Sequence, residues 1–271
     1  MANVSEAVIR VKNLTKKFGE RTVLNEVNLD IYEGETLVVM GGSGCGKSTF
    51  LRHLIGAMRP DSGEVWMFGK DIAKASADEM DQIRKNFGML FQSGALFDSM
   101  TVGENIALPL REHTKLDDNI ISIIVKMKLE LVGLRGFENL MPSQLSGGMK
   151  KRVGLARAIA MDPKVVFYDE PTAGLDPVMT GVIDKLTMDL TKKLNITSVV
   201  VTHDMNSVFR IADRIVMFHQ GNIIETGTPA QVRASRNPIV KQFVSGDTEG
   251  PISFVQTGDD YLEHLTSEII P

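Results

Sequence analysis

Cysteine is nearly absent: Cys45 is the only one in 271 residues, which excludes an internal disulfide framework and any Cys-based zinc site. That usage suits a reducing compartment. No uninterrupted apolar stretch approaches the roughly 18 residues of a membrane-spanning helix. The opening Met1-Ala2-Asn3-Val4-Ser5-Glu6 also lacks the basic and apolar regions of a secretory signal. The expectation is a chain soluble on its own, relying on another protein for any path across a membrane. Excess positive charge is missing too. Thirty Lys and Arg stand against 34 Asp and Glu, a net charge of −4, which argues against a general nucleic-acid binder. Long repeats, low-complexity segments and heptad arrays are likewise absent from the sequence. The remaining composition is ordinary at 43 % hydrophobic and 24 % charged, enough for one or two domains with a sizeable core.

Hydrophobic patterning predicts an α/β chain. Residues 8–31 alternate as strands, with Val27, Leu29 and Ile31 on one face. Thr36 to Met40 is an apolar run suited to a buried strand, and a helix is predicted from Lys47 to about Met58. Glu64 to Gly69 reads as a short strand, and 75–140 as mostly helical. Val165–Tyr168 and Ser198–Val201 are further candidate buried strands, alternating with helices as in a parallel sheet. Asp176-Pro177 is a helix start, with Ile183, Leu186, Leu190 and Leu194 as its expected apolar face. Gln220-Gly221-Asn222 signals a hairpin, and Pro229 to Val244 reads as helical.

Between the Thr36–Met40 strand and the helix lies Gly41-Gly42-Ser43-Gly44-Cys45-Gly46-Lys47-Ser48, followed by Thr49. It satisfies every fixed position of G-x-x-x-x-G-K-[ST]. Glycines let backbone N–H groups close around phosphate oxygens. Lys47 then reaches the β- and γ-phosphates, and the Ser48 hydroxyl ligates Mg²⁺. The helix adds its positive end. A plain strand–helix turn would not need all of these positions. Cys45 reads as a small packed side chain, although a helix N-terminus can activate a thiol.

Two carboxylates, Asp169 and Glu170, end the apolar strand Val165–Tyr168. In phosphate-loop proteins an Asp so placed holds Mg²⁺ opposite the loop hydroxyl. Glu170, one residue on, can polarise or deprotonate an attacking water. His203 follows the Val199–Thr202 strand in the same way, within reach of a γ-phosphate.

Leu145-Ser146-Gly147-Gly148-Met149, ahead of a helix beginning near Lys150, completes a set of motifs that resembles the ATP-binding cassette (ABC) ATPases, from about Val8 to Gly227. The resemblance implies a RecA-like P-loop core, an N-terminal antiparallel β-subdomain and a helical signature subdomain. It implies an ATPase domain at 1–245, with the signature subdomain at about 93–160, and a C-terminal extension at 246–271. Phe18 would stack on adenine, with ordinary packing as the competing role, and Gln92 would sense Mg²⁺ and the attacking water. Asp176, in Ala173-Gly174-Leu175-Asp176, would cross to a partner subunit and cap its helix. His203 would act as the γ-phosphate switch. Such ATPases sandwich two ATPs head to tail, so Ser146, Gly147 and Gly148 would meet the γ-phosphate held by another chain's Lys47 and Ser48. The implied assembly is a homodimer driving a separate integral-membrane permease.

Met149 departs from the usual Gln of the signature. With the runs 93–102 and 105–110, it resembles the ATPases of Mce/Mla-type lipid transporters. That resemblance implies phospholipid movement between inner and outer membranes, from a peripheral position on the cytoplasmic face of the inner membrane. It also implies a small STAS-domain partner, an Mce-domain substrate-binding protein in the same complex, and an extension at 246–271 that braces the dimer. Other readings stay open here: a transporter for another solute such as an amino acid or organic solvent, a non-transport cassette, or a small-molecule kinase. The long coiled-coil insertion or doubled cassette of non-transport relatives is not seen, and a kinase has no use for Leu145–Met149.

Overall fold

Alternation near the start of the chain builds the first sheet. In the computed structural model, which describes residues 7–252, β1 (Ala7–Phe18) pairs antiparallel with β2 (Arg21–Tyr32). Their inward residues, among them Ile9, Val11, Leu14, Val27 and Ile31, are buried. β3 (Thr36–Gly41), all six of whose residues are buried, contributes Leu37 and Val39 to the same hydrophobic core. The chain divides into two compact units, one ending at Val232, which holds this core, and the other beginning at Arg233.

In the first unit, α1 (Lys47–Leu54) follows β3 directly. The helix is four residues shorter than its apolar pattern predicts. Gly56, at φ 66°, takes the left-handed turn that ends it. Gly56 N–H donates to His53 O and Ala57 N–H to Arg52 O, the paired bonds of a glycine-capped helix end. β4 (Ser62–Met67) and β5 (Lys70–Asp71) complete the antiparallel sheet, in the order β2-β1-β4-β5.

The stretch from 75 to 140 is not purely helical. Between α2 (Ala77–Arg84) and α3 (Val102–His113) runs a strand, β6 (Phe87–Leu90). Four residues with a central glycine give little periodicity, so the strand is specified by its pairing with β7 (Val165–Asp169). Next come α4 (Asp118–Leu131), a short turn of 3₁₀ helix at Pro142–Gln144, and α5 (Gly147–Ala158).

After β7 come α6 (Pro177–Leu194), β8 (Thr197–Val201), α7 (Met205–Ile211), β9 (Arg214–His219) and β10 (Asn222–Gly227). The second sheet has the order β10-β9-β3-β8-β7-β6, parallel except for the β9–β10 hairpin. Gln220 and Gly221 both have positive φ, as a tight two-residue hairpin requires. On α6 the buried face differs from the expected leucine stripe. Leu194 is 43 % exposed, whereas Thr180, Ile183, Asp184, Thr187, Leu190 and Thr191 are buried. Polar partners make this possible: Thr191 Oγ1 bonds Ser198 Oγ at 2.7 Å, and Asp184 accepts from Ser207 and Arg210.

The first unit closes as α8 (Pro229–Arg233) begins. In the second unit, the helix expected to continue to Val244 is interrupted before α9 (Pro238–Ser245). Asn237 caps α9 through Ile239 N–H, and Pro238 takes its first position. Gln242 then ties the following chain back, donating to Asp247 O and Ile252 O and accepting from Ile252 N–H. The expected dimer brace at 246–271 rests chiefly on residues from 253 onward, which lie outside the described residues.

Candidate nucleotide site

A strand that ends in glycines and re-enters as a helix leaves backbone N–H groups pointing outward, and here β3, the loop 41–46 and α1 do this. Gly46 caps α1 at φ 110° and has no side-chain cap. A Cβ there would stand 2.7 Å from Val23 O and 2.9 Å from Leu24 Cδ2, so only glycine closes this turn. The loop is fastened from behind: Gly221 N–H donates to Cys45 O, and Asn25 N–H donates to Gly221 O. Gly41 is buried with Cys45 and Gly46, while Ser43, Gly44 and Ser48 are exposed and Gly42 and Thr49 are half-buried. Lys47 is only 8 % exposed, and its Nζ donates to Gly41 O (2.7 Å) and Gly42 O (2.8 Å). Among the described residues no carboxylate makes a salt bridge with it. A buried cation without a carboxylate partner suits an incoming phosphate. Cys45 Sγ lies 3.8 Å from Lys47 Nζ, yet burial pushes its thiol pKa up, making it an unreactive packed side chain.

β7 delivers Asp169 and Glu170 beside this loop. Burial raises the Asp169 carboxyl above the usual carboxylate range and Glu170's charge adds to the rise, while Arg52 and Lys47 pull it down. Glu170 takes a left-handed conformation, φ 47°, unusual outside glycine, with its N–H donating to Val201 O on β8. Its Oε1 lies 2.8 Å from His203 Nδ1, which is the donor when the carboxylate is ionised. Lys47, Asp169, Glu170 and His203 are thereby brought to one end of the parallel sheet, past the C-terminal ends of β3, β7 and β8. Gln92, exposed, follows the neighbouring strand β6. The hydroxyl of Ser48, the carboxylate of Asp169 and the amide oxygen of Gln92 are hard oxygen donors. The set fits Mg²⁺ bound together with phosphates and water.

Other expected site residues lie outside this group. Phe18, at the end of β1, is 50 % exposed with Lys16 Nζ 5.6 Å from its ring centre, so the core does not absorb it. Ser146 caps α5 by accepting from Met149 N–H, and Asp176 caps α6 by accepting from Val178 and Met179 N–H. Both are exposed, as is Gly147, while Gly148 is buried. Among the described residues no hydrogen bond or ion pair joins Ser146 or Asp176 to the loop 41–49.

The model of the ABC transporter family matches residues 24–173. The chain belongs to that family. It is 45 % identical over 262 residues to the intermembrane phospholipid transport system ATP-binding protein MlaF of Haemophilus influenzae, covering 97 % of this chain and 99 % of that one. It is 44 % identical to the probable ribonucleotide transport ATP-binding protein mkl of Mycobacterium leprae, covering 93 % of this chain and 73 % of that one. Among solved structures it resembles a dimeric ATP-binding cassette, MJ0796, in a post-hydrolysis state bound to ADP and Pi. That match has a TM-score of 0.75 and 34 % identity, over 82 % of this chain and 98 % of that one. The expected P-loop fold with an antiparallel β-subdomain is therefore present, and the chain is an ATP hydrolase of the cassette type. No described helix is long and apolar enough to cross a membrane.

Sequence reading missed two residues on α5. Lys151 Nζ donates to Ala173 O at 2.6 Å, and Arg157 donates to Gly94 O and Ala95 O at 2.8 Å each. Cations on a helix ordinarily read as a solvated face, so spacing gave no sign of them.

Proposed function

We propose that this chain is the ATP-hydrolysing subunit of a bacterial phospholipid transporter, working as a head-to-tail homodimer on the cytoplasmic face of the inner membrane. The observation that carries the catalytic part is Glu170, held against His203 at the strand end next to Lys47 and its loop. In this reading Lys47 and the N–H groups of the loop bind the β- and γ-phosphates, and Phe18 offers its exposed ring to the base. Glu170 orients water and takes its proton, and His203 fixes the carboxylate and meets the γ-phosphate. Ser48, Asp169 and Gln92 would hold Mg²⁺, which supplies neutralising charge at the phosphates. Ser146, Gly147, Gly148 and Asp176 complete the site of the second copy.

The near full-length likeness to a phospholipid transport ATP-binding protein supports the cargo. The same reading gives a separate permease, a small STAS-domain protein and an Mce-domain protein as partners. Loss of the γ-phosphate would remove the charge that holds two copies together, releasing the permease. Two experiments test this. Glu170→Gln should keep ATP binding, trap a dimer in Mg-ATP and lower turnover by about 100-fold or more; wild-type turnover would overturn the role of Glu170. Vesicles holding the purified complex should move labelled phospholipid in an ATP-dependent way and leave ribonucleotides unmoved. The reverse result would assign the chain the cargo named for its mycobacterial relative.

A further inference from the structure

Helix α5 buries a cation where the sequence suggests a solvated face. Lys151 is only 4 % exposed, and among the described residues it makes no salt bridge. Taking an ammonium out of water without a paired carboxylate is costly, so its surroundings must replace the lost solvation. Burial accordingly lowers its pKa, and the carboxylate of Glu170 opposes that fall. Its Nζ donates to Ala173 O at 2.6 Å, a bond that lands on a turn beginning at Glu170. Ala173 N–H donates back to Glu170 O at 3.2 Å. A short covalent and hydrogen-bonded path therefore runs from α5 to the Glu170 carboxylate, whose own backbone is left-handed.

We propose that Lys151 is a positioning residue for ATP hydrolysis: its ammonium clamps the Glu170–Ala173 turn to the signature helix and so fixes where the Glu170 carboxylate sits. The proposal rests on Glu170 being the group that activates water. It also gives the helix a second task. Ser146 at the start of α5 is exposed to whatever a second copy presents, and Lys151 lies five residues along the same helix, roughly 7 Å of rise. Because Arg157 holds Gly94 and Ala95 from the same helix, α5 grips both the segment after Glu170 and the segment after Gln92. A shift of α5 when Ser146 engages a phosphate would reposition the water-activating group of its own chain. The two nucleotide sites of a dimer would then be coupled through each chain's α5.

The test uses the full chain, with ATP turnover and KM measured for three variants. Lys151→Met keeps the length and removes both charge and donor, Lys151→Gln keeps a donor, and Lys151→Arg keeps the charge. The expectation is a kcat lowered about tenfold in Lys151→Met, the order expected for one charged hydrogen bond. KM for ATP should stay within about twofold, since uniform binding is untouched. Lys151→Arg should recover most of kcat, and Lys151→Gln less. In a Glu170→Gln background, Lys151→Met should lower the residual turnover no further, because a residue acting through Glu170 has nothing left to position. Wild-type kcat in Lys151→Met, additive losses in the double variant, or equal losses in kcat and affinity for all three variants would overturn the proposal. Should Lys151→Met fail to fold, the ratio of Arg to Gln turnover carries the same decision. An active Glu170→Gln would defeat the reading of Glu170 itself, whereas an active Lys151→Met beside an inactive Glu170→Gln would defeat only Lys151.

Discussion

Two helix N-termini in this chain present glycine-rich ends, and they differ in how much of their surroundings they bring with them. The end of α1 is enclosed: Lys47 is buried on its own loop carbonyls, and the β9–β10 turn bonds the loop from behind through Gly221. The end of α5 is open. Ser146 satisfies one N–H of its own helix, and Gly147 beside it faces outward. Both offer a dipole and free donors to an anion. Only α1 has a buried lysine in its cradle and carboxylates arriving from β7. The difference teaches that the fold encloses the α1 end by itself and leaves the α5 end exposed, as the proposed pairing with a second copy would require.

The largest effect should come from the enclosed end. Lys47→Ala removes the buried ammonium from the phosphate cradle and should lower turnover by about 100-fold or more, the usual loss when one strong donor to a reacting phosphate is deleted. Turnover per copy measured at saturating Mg-ATP checks it. A loss below tenfold would mean that the loop's N–H groups alone hold the triphosphate.

The open end allows a sharper test, because Ser146 has two separable roles. Asp is as good a helix cap as Ser, so Ser146→Asp should leave the melting temperature unchanged while setting a negative charge where a partner's γ-phosphate would arrive. Turnover should fall on the order of 30-fold, a repulsion of about 2 kcal/mol. Mixing the two inactive chains, Lys47→Ala and Ser146→Asp, should restore activity, since each mixed pair has one site with both native ends. Absence of recovery would show that the two ends do not meet between copies.

Legibility divided along the same line. The enclosed end could be read from sequence because its chemistry needs fixed residues at fixed spacing: Gly41 to Thr49, then Asp169 and Glu170 after an apolar strand. The sheet strands were legible for a similar reason, since burial on both faces forces the apolar runs of β3, β7 and β8. Features set by distant partners were not. β6 is defined by pairing with β7. The threonine face of α6 is stable only because Ser198, Ser207 and Arg210 bond to it or to its Asp184. Lys151 and Arg157 became visible as clamps only when Ala173 and Gly94–Ala95 came within reach. A single sequence reports what a residue is, but such partners sit on other elements, from seven positions away for Thr191 and Ser198 to more than 60 for Arg157 and Gly94.

The smallest effect concerns the rigid platform behind the enclosed end. Tyr168 immediately precedes Asp169, is fully buried, and has its phenol pushed up to about 12 by burial, which the hydroxyls of Ser198 and Thr187 only partly offset. An unfolded tyrosine ionises near pH 10, so above that the unfolded chain loses a proton that the folded chain keeps. The stabilisation is whole below pH 10 and is lost as pH rises through about 12, at no more than about 1.4 kcal/mol per pH unit. Between pH 9 and pH 11 the wild-type chain should therefore lose about 1 kcal/mol more stability in urea unfolding than Tyr168→Phe, whose ring has no proton to release. ATP turnover at pH 8 should barely change in the variant, because the hydroxyl lies beside Ser198 and Thr187 and belongs to none of the groups proposed to act on phosphate. An equal alkaline loss in both proteins would mean that the strand carrying Asp169 and Glu170 admits water, and the firm backing assigned to the α1 end would go with it.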